Sequence, residues 1–170
     1  MTKRGFTLVE IMIVVAIIAL LAAIAIPNLL RARLNTNESA TIEALKTISS
    51  AATSWASVNN ANFPALLADM TPTGMAAAGV LGPPFLDDTF NPVPCVRNGY
   101  TIAYTSVDGN GDGIMDGFFA TATPLSAGMT GSRDFYVDDG GVVCGAPQGT
   151  GVAAAHAGGA CPPAPYAPLQ

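Results

Sequence analysis

The feature that most constrains this chain is a long apolar run near its N-terminus, from Phe6 to Ile26. A helix over this run would be about 31 Å long at about 1.5 Å per residue, which matches the thickness of one bilayer core. Glu10 is the only charged residue between Arg4 and Arg31. A charged side chain deep in hydrocarbon costs at least about 2.5 kcal/mol, so Glu10 is expected to have a function or a fixed partner.

A chain break between Gly5 and Phe6 would supply that partner. Residues 1–5 are short and basic and end in Gly5 directly before the apolar run, whereas an ordinary secretory signal is cleaved after its apolar stretch. The new α-ammonium of Phe6 would lie one helical turn from Glu10, or beside the Glu10 of a neighbouring copy. The two charges would then neutralise each other. The alternative is an ordinary signal anchor with a chance glutamate.

The residues around this position resemble those of a known family. Gly5-Phe6-Thr7-Leu8-Val9-Glu10, with the apolar run that ends at Pro27 and Asn28, resembles the N-terminal signature of type IV pilins and type II secretion pseudopilins. The resemblance implies cleavage after Gly5, N-methylation of Phe6 by a prepilin peptidase, and insertion in the inner membrane. It also implies assembly, by the pilus assembly machinery, into a helical filament of identical subunits with the N-terminal helices at its centre.

The sequence departs from the family pattern at one position. Ala19 stands where many of these sequences have a glycine that weakens the helix. Local melting of the helix in a filament would therefore depend more on Pro27, which cannot donate a helical backbone hydrogen bond. Glu10 and Pro27 are accordingly the predicted assembly residues.

Length and charge fit one small domain behind the anchor. The chain has 170 residues and a formal net charge of −5, and loss of Lys3 and Arg4 would make it more negative. Affinity for phosphates comes from Lys and Arg, so nucleic acid is not expected as the main partner. Basic residues flank both ends of the apolar run, so orientation rests on the resemblance, which implies an inner-membrane precursor and then a cell-surface filament.

The pattern after Pro27 predicts an amphipathic helix from about Asn28 to Val58. Apolar residues recur there at spacings of three and four, and polar residues lie between them. The apolar positions are Ile42, Leu45, Ile48, Ala52 and Trp55, and the polar ones are Glu38, Glu43, Lys46 and Ser49. We expect Trp55 to pack in the core.

Downstream of this helix the sequence predicts a small β-rich head. A short helix at 65–70 and a connector at 71–94, rich in glycine and proline, precede four strands divided by Gly/Asp turns. These strands are Tyr100–Val107, Phe118–Pro124, Ser132–Val137 and Val142–Cys144. The predicted fold class is α+β: a long N-terminal helix packed on a small antiparallel sheet, as the resemblance to type IV pilins also implies.

The predicted organisation has three parts. A leader at 1–5 is removed, a helix occupies 6–58 with 6–27 in the membrane or filament core, and a globular head occupies 59–170. The tail at 145–170 holds no Lys, Arg, Asp or Glu, and we expect it to be irregular except where a disulfide holds it.

Three cysteines lie in the C-terminal half, as expected if that half faces an oxidising compartment. Cys144 and Cys161 enclose a segment rich in glycine, alanine and proline, and the resemblance favours their pairing because pilins commonly close a C-terminal loop this way. A Cys95–Cys144 bond and reduced or intermolecular states are the alternatives. The chain has no Cys-x-x-Cys-His motif, so covalent haem is not expected.

A second loop resembles half of a calcium-binding loop. Asp108, Asn110, Asp112, Ile114 and Asp116 stand at alternate positions, with a glycine between each of the first four. Oxygen ligands at alternate positions followed by glycine are the first half of such a loop. The position that would carry the bidentate glutamate is Phe119 instead, so an ion would need a ligand from elsewhere. A possible calcium site and a solvated hairpin turn remain open, and no cofactor is otherwise required.

No motif in the sequence favours catalysis. A Ser–His arrangement would have to use His156, the only histidine, and the chain has no Gly-x-Ser-x-Gly, His-Glu-x-x-His or Walker-type loop. We therefore expect a structural subunit of a type IV pilus and not an enzyme. The alternatives are a type II secretion pseudopilin, or a membrane-tethered calcium- or ligand-binding module that does not polymerise.

Overall fold

The structure of the protein is a computed structural model, which describes residues 5–79, 82–91, 94–149 and 157–169. A long helix and a six-stranded antiparallel sheet account for most of the regular structure, so the predicted α+β architecture is confirmed. The helices are α1 (Leu8–Val58) and α2 (Pro72–Ala77), with short 3-10 turns at Leu67–Met70 and Asp88–Phe90. The strands are β1 (Cys95–Arg97), β2 (Tyr100–Val107), β3 (Gly117–Pro124), β4 (Arg133–Asp138), β5 (Cys144–Pro147) and β6 (Ala167–Pro168).

Helix α1 is continuous over 51 residues and passes through Pro27 without a break. The side-chain amide of Asn28 donates a hydrogen bond of 3.0 Å to the Ile24 carbonyl next to this proline. The helix ends where Asn60 and Ala61 adopt positive φ angles of 55° and 63°. Pro27 therefore separates the apolar and amphipathic halves in sequence, but not in structure.

The second half of α1 packs on one face of the sheet. Its small and apolar side chains are buried there together with large side chains from three central strands, which form the main core. That core includes Leu45, Ile48 and Ala52 from the helix and Tyr100, Phe118, Phe135 and Val137 from the strands. Trp55 is half-buried at the edge of this core, where its ring contacts that of Phe85 edge-on at 5.7 Å.

The strands follow one another in chain order across the sheet, as an antiparallel meander. The predicted bounds of β2 are confirmed, and those of β3, β4 and β5 differ by one to three residues at their ends. Two short edge strands were not predicted. The expectation of an irregular tail at 145–170 was wrong where β5 extends to Pro147 and where β6 pairs with it.

The other face of the sheet carries a smaller core beneath the C-terminal segment. Tyr136, Cys144, Ala146 and Tyr166 are buried together there. Asp138 helps to hold this segment, since its carboxylate accepts the N–H groups of Gly140 at 3.1 Å and Gly159 at 2.9 Å. The sheet thus lies between α1 and the C-terminal segment.

The connector holds more regular structure than expected. Thr71 caps α2 by accepting the Gly74 N–H at 3.2 Å, and Pro72 occupies the first helical position, where its missing N–H has no intrahelical partner to lose. The predicted helix at 65–70 is a 3-10 turn, Leu67–Met70, that buries Leu67 and Met70 in the main core.

Candidate functional site

The start of α1 is fixed by a reciprocal capping box between Thr7 and Glu10. The Thr7 N–H donates to Oε2 of Glu10 at 2.8 Å, the Thr7 hydroxyl donates to the same oxygen at 2.7 Å, and the Glu10 N–H donates to Oγ1 of Thr7 at 3.3 Å. This arrangement satisfies backbone donors that a helix N-terminus otherwise leaves without partners. The Glu10 carboxylate is therefore bound to the backbone N–H of Thr7, the residue that follows Phe6. The predicted cleavage would create a positive charge at the Phe6 nitrogen.

The apolar half of α1 has no cover within the described part of the protein. Every residue from Phe6 to Leu20 is exposed, and no part of the helix's most apolar stretch is buried. By length and composition this helix can cross a membrane once. Large apolar side chains in a continuous exposed band mark a surface that another apolar phase covers.

The predicted calcium loop is satisfied by its own backbone. The Asp108 carboxylate accepts the N–H groups of Gly111 at 2.6 Å, Gly113 at 2.9 Å and Asn110 at 3.3 Å. Hydrogen bonds from Gly113 and Gly111 lower the pKa of Asp108 below its usual range. Asp108 therefore acts as the centre of a hydrogen-bonded turn.

The other predicted ligands of this loop are also engaged locally. Asp112 accepts the Ile114 N–H at 2.8 Å, and Asp116 accepts the Gly109 N–H at 3.0 Å. Among the described residues, no group of three or more His, Cys, Asp or Glu side chains is arranged to hold a metal ion. The structure thus gives the calcium hypothesis no support. His156, the one candidate for a catalytic histidine, lies outside the described residues.

Cys144 and Cys161 form a disulfide with an S–S distance of 2.00 Å and a Cα–Cα distance of 5.7 Å. This is the pairing that the resemblance to pilins favoured. Cys95 is a free, buried cysteine, and burial raises the pKa of its thiol. Because Cys144 also faces Pro168 in the register of β5 and β6, the disulfide holds the last strand on the sheet.

Sequence reasoning missed the joint between α1 and the head. Glu38 was assigned to the polar side of the helix, but it is only 4% exposed, and Ser49, assigned likewise, is buried too. Burial raises the pKa of Glu38, but hydrogen bonds from Ser132 and Arg133 outweigh that effect and hold the pKa below its usual range. Ser132 and Arg133 lie more than 90 positions from Glu38 in sequence. No local pattern could therefore have identified their contact with Glu38.

Comparisons with known proteins find similarity in the N-terminal part of the sequence. The family model of the prokaryotic N-terminal methylation motif matches residues 1–26. Two curated relatives also match: the type IV wide pilus major component PilA4 of Thermus thermophilus, 63% identical over 35 residues, and the type IV major pilin protein PilA of Myxococcus xanthus, 50% identical over 53 residues. The N-terminal segment therefore resembles that of type IV pilins.

The similarity to these pilins is confined to part of each chain. The matched regions are 21% and 31% of this chain and span about a quarter of each relative, 27% and 24%. No solved structure matches the chain significantly. The pilin resemblance therefore rests on the N-terminal segment and on the α+β architecture of the head.

Proposed function

We propose that this chain is the structural subunit of a type IV pilus filament. The observation that carries the proposal is the band of exposed apolar side chains on α1, interrupted only by Glu10, in a chain whose N-terminus has the methylation motif. A subunit of this kind needs no catalytic group and no cofactor. Its function is self-association through the apolar half of α1.

The exposed band is too apolar to remain in water. Full burial of a Val, Leu or Ile side chain is favourable by about 1.5–3 kcal/mol, and many such side chains of α1 are more than half exposed, Ile13, Ile17 and Leu21 among them. Two environments bury a helix on all sides: a bilayer, and a bundle of equivalent helices. We propose that the chain occupies them in succession, first the inner membrane and then the core of a cell-surface filament.

Processing would prepare the helix for the second environment. We propose that a prepilin peptidase removes residues 1–5 and methylates Phe6, that 6–27 lies in the membrane or filament core, and that 59–170 forms the head. The new ammonium at Phe6 and the carboxylate of Glu10 would form a charge pair in an apolar medium. Such a pair is favourable only when both members are present, because a buried charge without a partner is costly.

A type II secretion pseudopilin is the second candidate, because the methylation motif at residues 1–26 fits both classes. A tethered module that does not polymerise is the third. The three differ in what becomes of the mature N-terminus and where the protein is found. A pilus subunit leaves the cell surface in sheared fibres, a pseudopilin remains in the envelope, and a tethered module keeps residues 1–5.

The test is mass spectrometry of fibres sheared from cells that carry the gene and from cells that lack it, with imaging of both. We expect fibres only in the first, composed of a subunit that begins at N-methylated Phe6. Unprocessed protein that begins at Met1 and remains in the membrane would contradict the proposal. Processed protein in cells without surface fibres, and with a secretion defect on gene deletion, would favour the pseudopilin instead.

A further inference from the structure

The β3–β4 turn, residues 125–132, presents two large apolar side chains to solvent. Leu125 is 57% exposed and Met129 is 74% exposed. The turn itself is well ordered by its own backbone: the Thr130 N–H donates to the Ser126 carbonyl at 3.0 Å and the Gly128 N–H to the Gly131 carbonyl at 2.9 Å. A hydrogen-bonded turn therefore holds both side chains away from the core.

This turn lies at the end of the head that is nearest the apolar half of α1. Ser132, at its end, donates to Glu38, whereas the Asp138 carbonyl at the far end of β4 accepts the Ser49 hydroxyl at 3.4 Å. Strand β4 therefore runs in the same direction as α1, and the turn that precedes it extends toward the N-terminal half. The Asn37 side-chain amide, which donates to the Thr130 carbonyl at 3.0 Å, fixes its height along the helix.

The height can be compared with the dimensions of a bilayer. Asn37 is seven positions beyond Leu30, or about 10 Å along the axis at about 1.5 Å per residue. Leu29 and Leu30 prolong the exposed apolar band beyond the proposed membrane segment 6–27. Counted to Leu30, the band would be about 36 Å long, which exceeds a hydrocarbon core of about 30 Å and is accommodated by tilt. The headgroup layer is about 5–7 Å thick, so in an upright helix Asn37 would stand just above it. A tilt of the helix toward the β3–β4 turn would bring Leu125 and Met129 down to that layer.

The charges around the turn favour the same surface. Residues 125–132 contain no charged side chain, and Glu38 beside them is neutralised by Arg133. Between the turn and the apolar stretch, Arg31 and Arg33 are exposed. Arginines at this height attract anionic phospholipid headgroups, and apolar side chains next to them insert at the boundary between headgroups and acyl chains.

We propose that the β3–β4 turn is a membrane-interface contact, which rests the base of the head on the periplasmic surface of the bilayer before assembly. Leu125 and Met129 insert at headgroup depth, and Arg31 and Arg33 bind lipid phosphates. The inference rests on the membrane stage of the proposed function. It gives the head a defined orientation on the membrane.

The test places a single tryptophan at chosen sites of the full chain in vesicles of anionic and zwitterionic phospholipids, some with brominated acyl chains that quench tryptophan. In a Trp55→Phe background, Leu125→Trp and Met129→Trp report on the turn. Ile114→Trp is the matched control, since Ile114 is also an exposed turn residue, at the opposite end of β2 and β3. Leu20→Trp reports on the membrane helix.

We expect bromines near the headgroup to quench the tryptophans at 125 and 129 by about twofold, those deep in the bilayer to quench the one at 20, and neither to quench the one at 114. Quenching at 20 with none at 125 and 129 would overturn the inference and leave the membrane stage intact. No quenching at any site, 20 included, would refute the membrane stage as well. If the quenching of the tryptophan at 129 by bromines fell as the ratio of protein to lipid rose, the turn would contact a second copy of the chain. That result would overturn the lipid contact.

Discussion

Glu38 of α1 and Arg133 of β4 form an ion pair in which both Nε and Nη2 of the guanidinium contact Oε2 of the carboxylate, at 2.9 and 2.7 Å. The other carboxylate oxygen accepts both the N–H and the hydroxyl of Ser132. The Glu38 side chain is nearly inaccessible, whereas that of Arg133 is partly exposed. This pair joins the head to the helix close to the point where the helix leaves it.

We predict that Glu38→Ala lowers the free energy of unfolding of the head by about 2–4 kcal/mol. The substitution removes the charge-assisted hydrogen bonds that join Glu38 to Arg133 and to the N–H and hydroxyl of Ser132. Thermal denaturation of the chain from Asn28 onward measures the effect. Glu43→Ala is the matched control, because Glu43 is an exposed carboxylate on the same helix. A melting temperature equal to that of the control would show that the pair does not stabilise the head.

The same pair should make stability depend on acidity. The pKa of Glu38 is lower in the folded state, so its contribution is fully present above the unfolded value of about 4.3 and is lost as the pH falls through the folded value. Asp134 acts in the opposite sense, because burial raises its pKa. We expect wild type to lose more stability than Glu38→Gln between about pH 5 and pH 3 in denaturant titrations. If the free energy of unfolding of the two proteins fell equally over this pH range, Glu38 would not be the source of the pH dependence.

Reduction of the Cys144–Cys161 disulfide should release the C-terminal segment first. Closure of a loop of this size contributes about 3 kcal/mol in the chain-entropy model. The Leu169 N–H, which donates to the Val143 carbonyl at 3.0 Å, should exchange faster with deuterium after reduction, whereas the amides of β2 and β3 should not change. Uniform loss of protection would indicate global unfolding instead. Peptide mapping that found Cys95 in a disulfide would refute the assignment.

The loop at 108–116 should be stabilised by Asp108 and not by calcium. Asp108→Ala removes the acceptor of three backbone N–H groups, so we expect a lower melting temperature of the head in both millimolar calcium and chelator. Wild type should melt at the same temperature in the two solutions. A rise with calcium that is lost in Asp112→Ala would restore the metal hypothesis.

The sequence predicted those parts of the fold that local periodicity determines. Strand β2 has a side-chain pattern of period two and is bounded by turn residues, and its position was predicted correctly. The long helix was predicted correctly as well. Strand β1 has three residues and follows Pro94, and strand β6 has two residues, of which one is Pro168. Only their pairing with a neighbouring strand makes them strands. Glu38 was misassigned for the same reason, since its environment is created by residues far along the chain. Asp108 was a candidate calcium ligand, with a solvated turn as the alternative, because carboxylates spaced for a metal are also spaced to accept backbone N–H groups.

The most direct test of the central claim is the abundance of sheared fibres from cells with Glu10 substituted. Glu10→Ala removes both the charge and the capping box, whereas Glu10→Gln retains a capping-box side chain without the charge. Because an unpaired ammonium at Phe6 would be buried in an apolar core, we expect both variants to lose fibres while membrane levels of the subunit stay normal, and Glu43→Ala to assemble as wild type does. Normal fibre abundance in Glu10→Gln would contradict the charge-pairing account, and normal abundance in Glu10→Ala would show that Glu10 has no role in assembly.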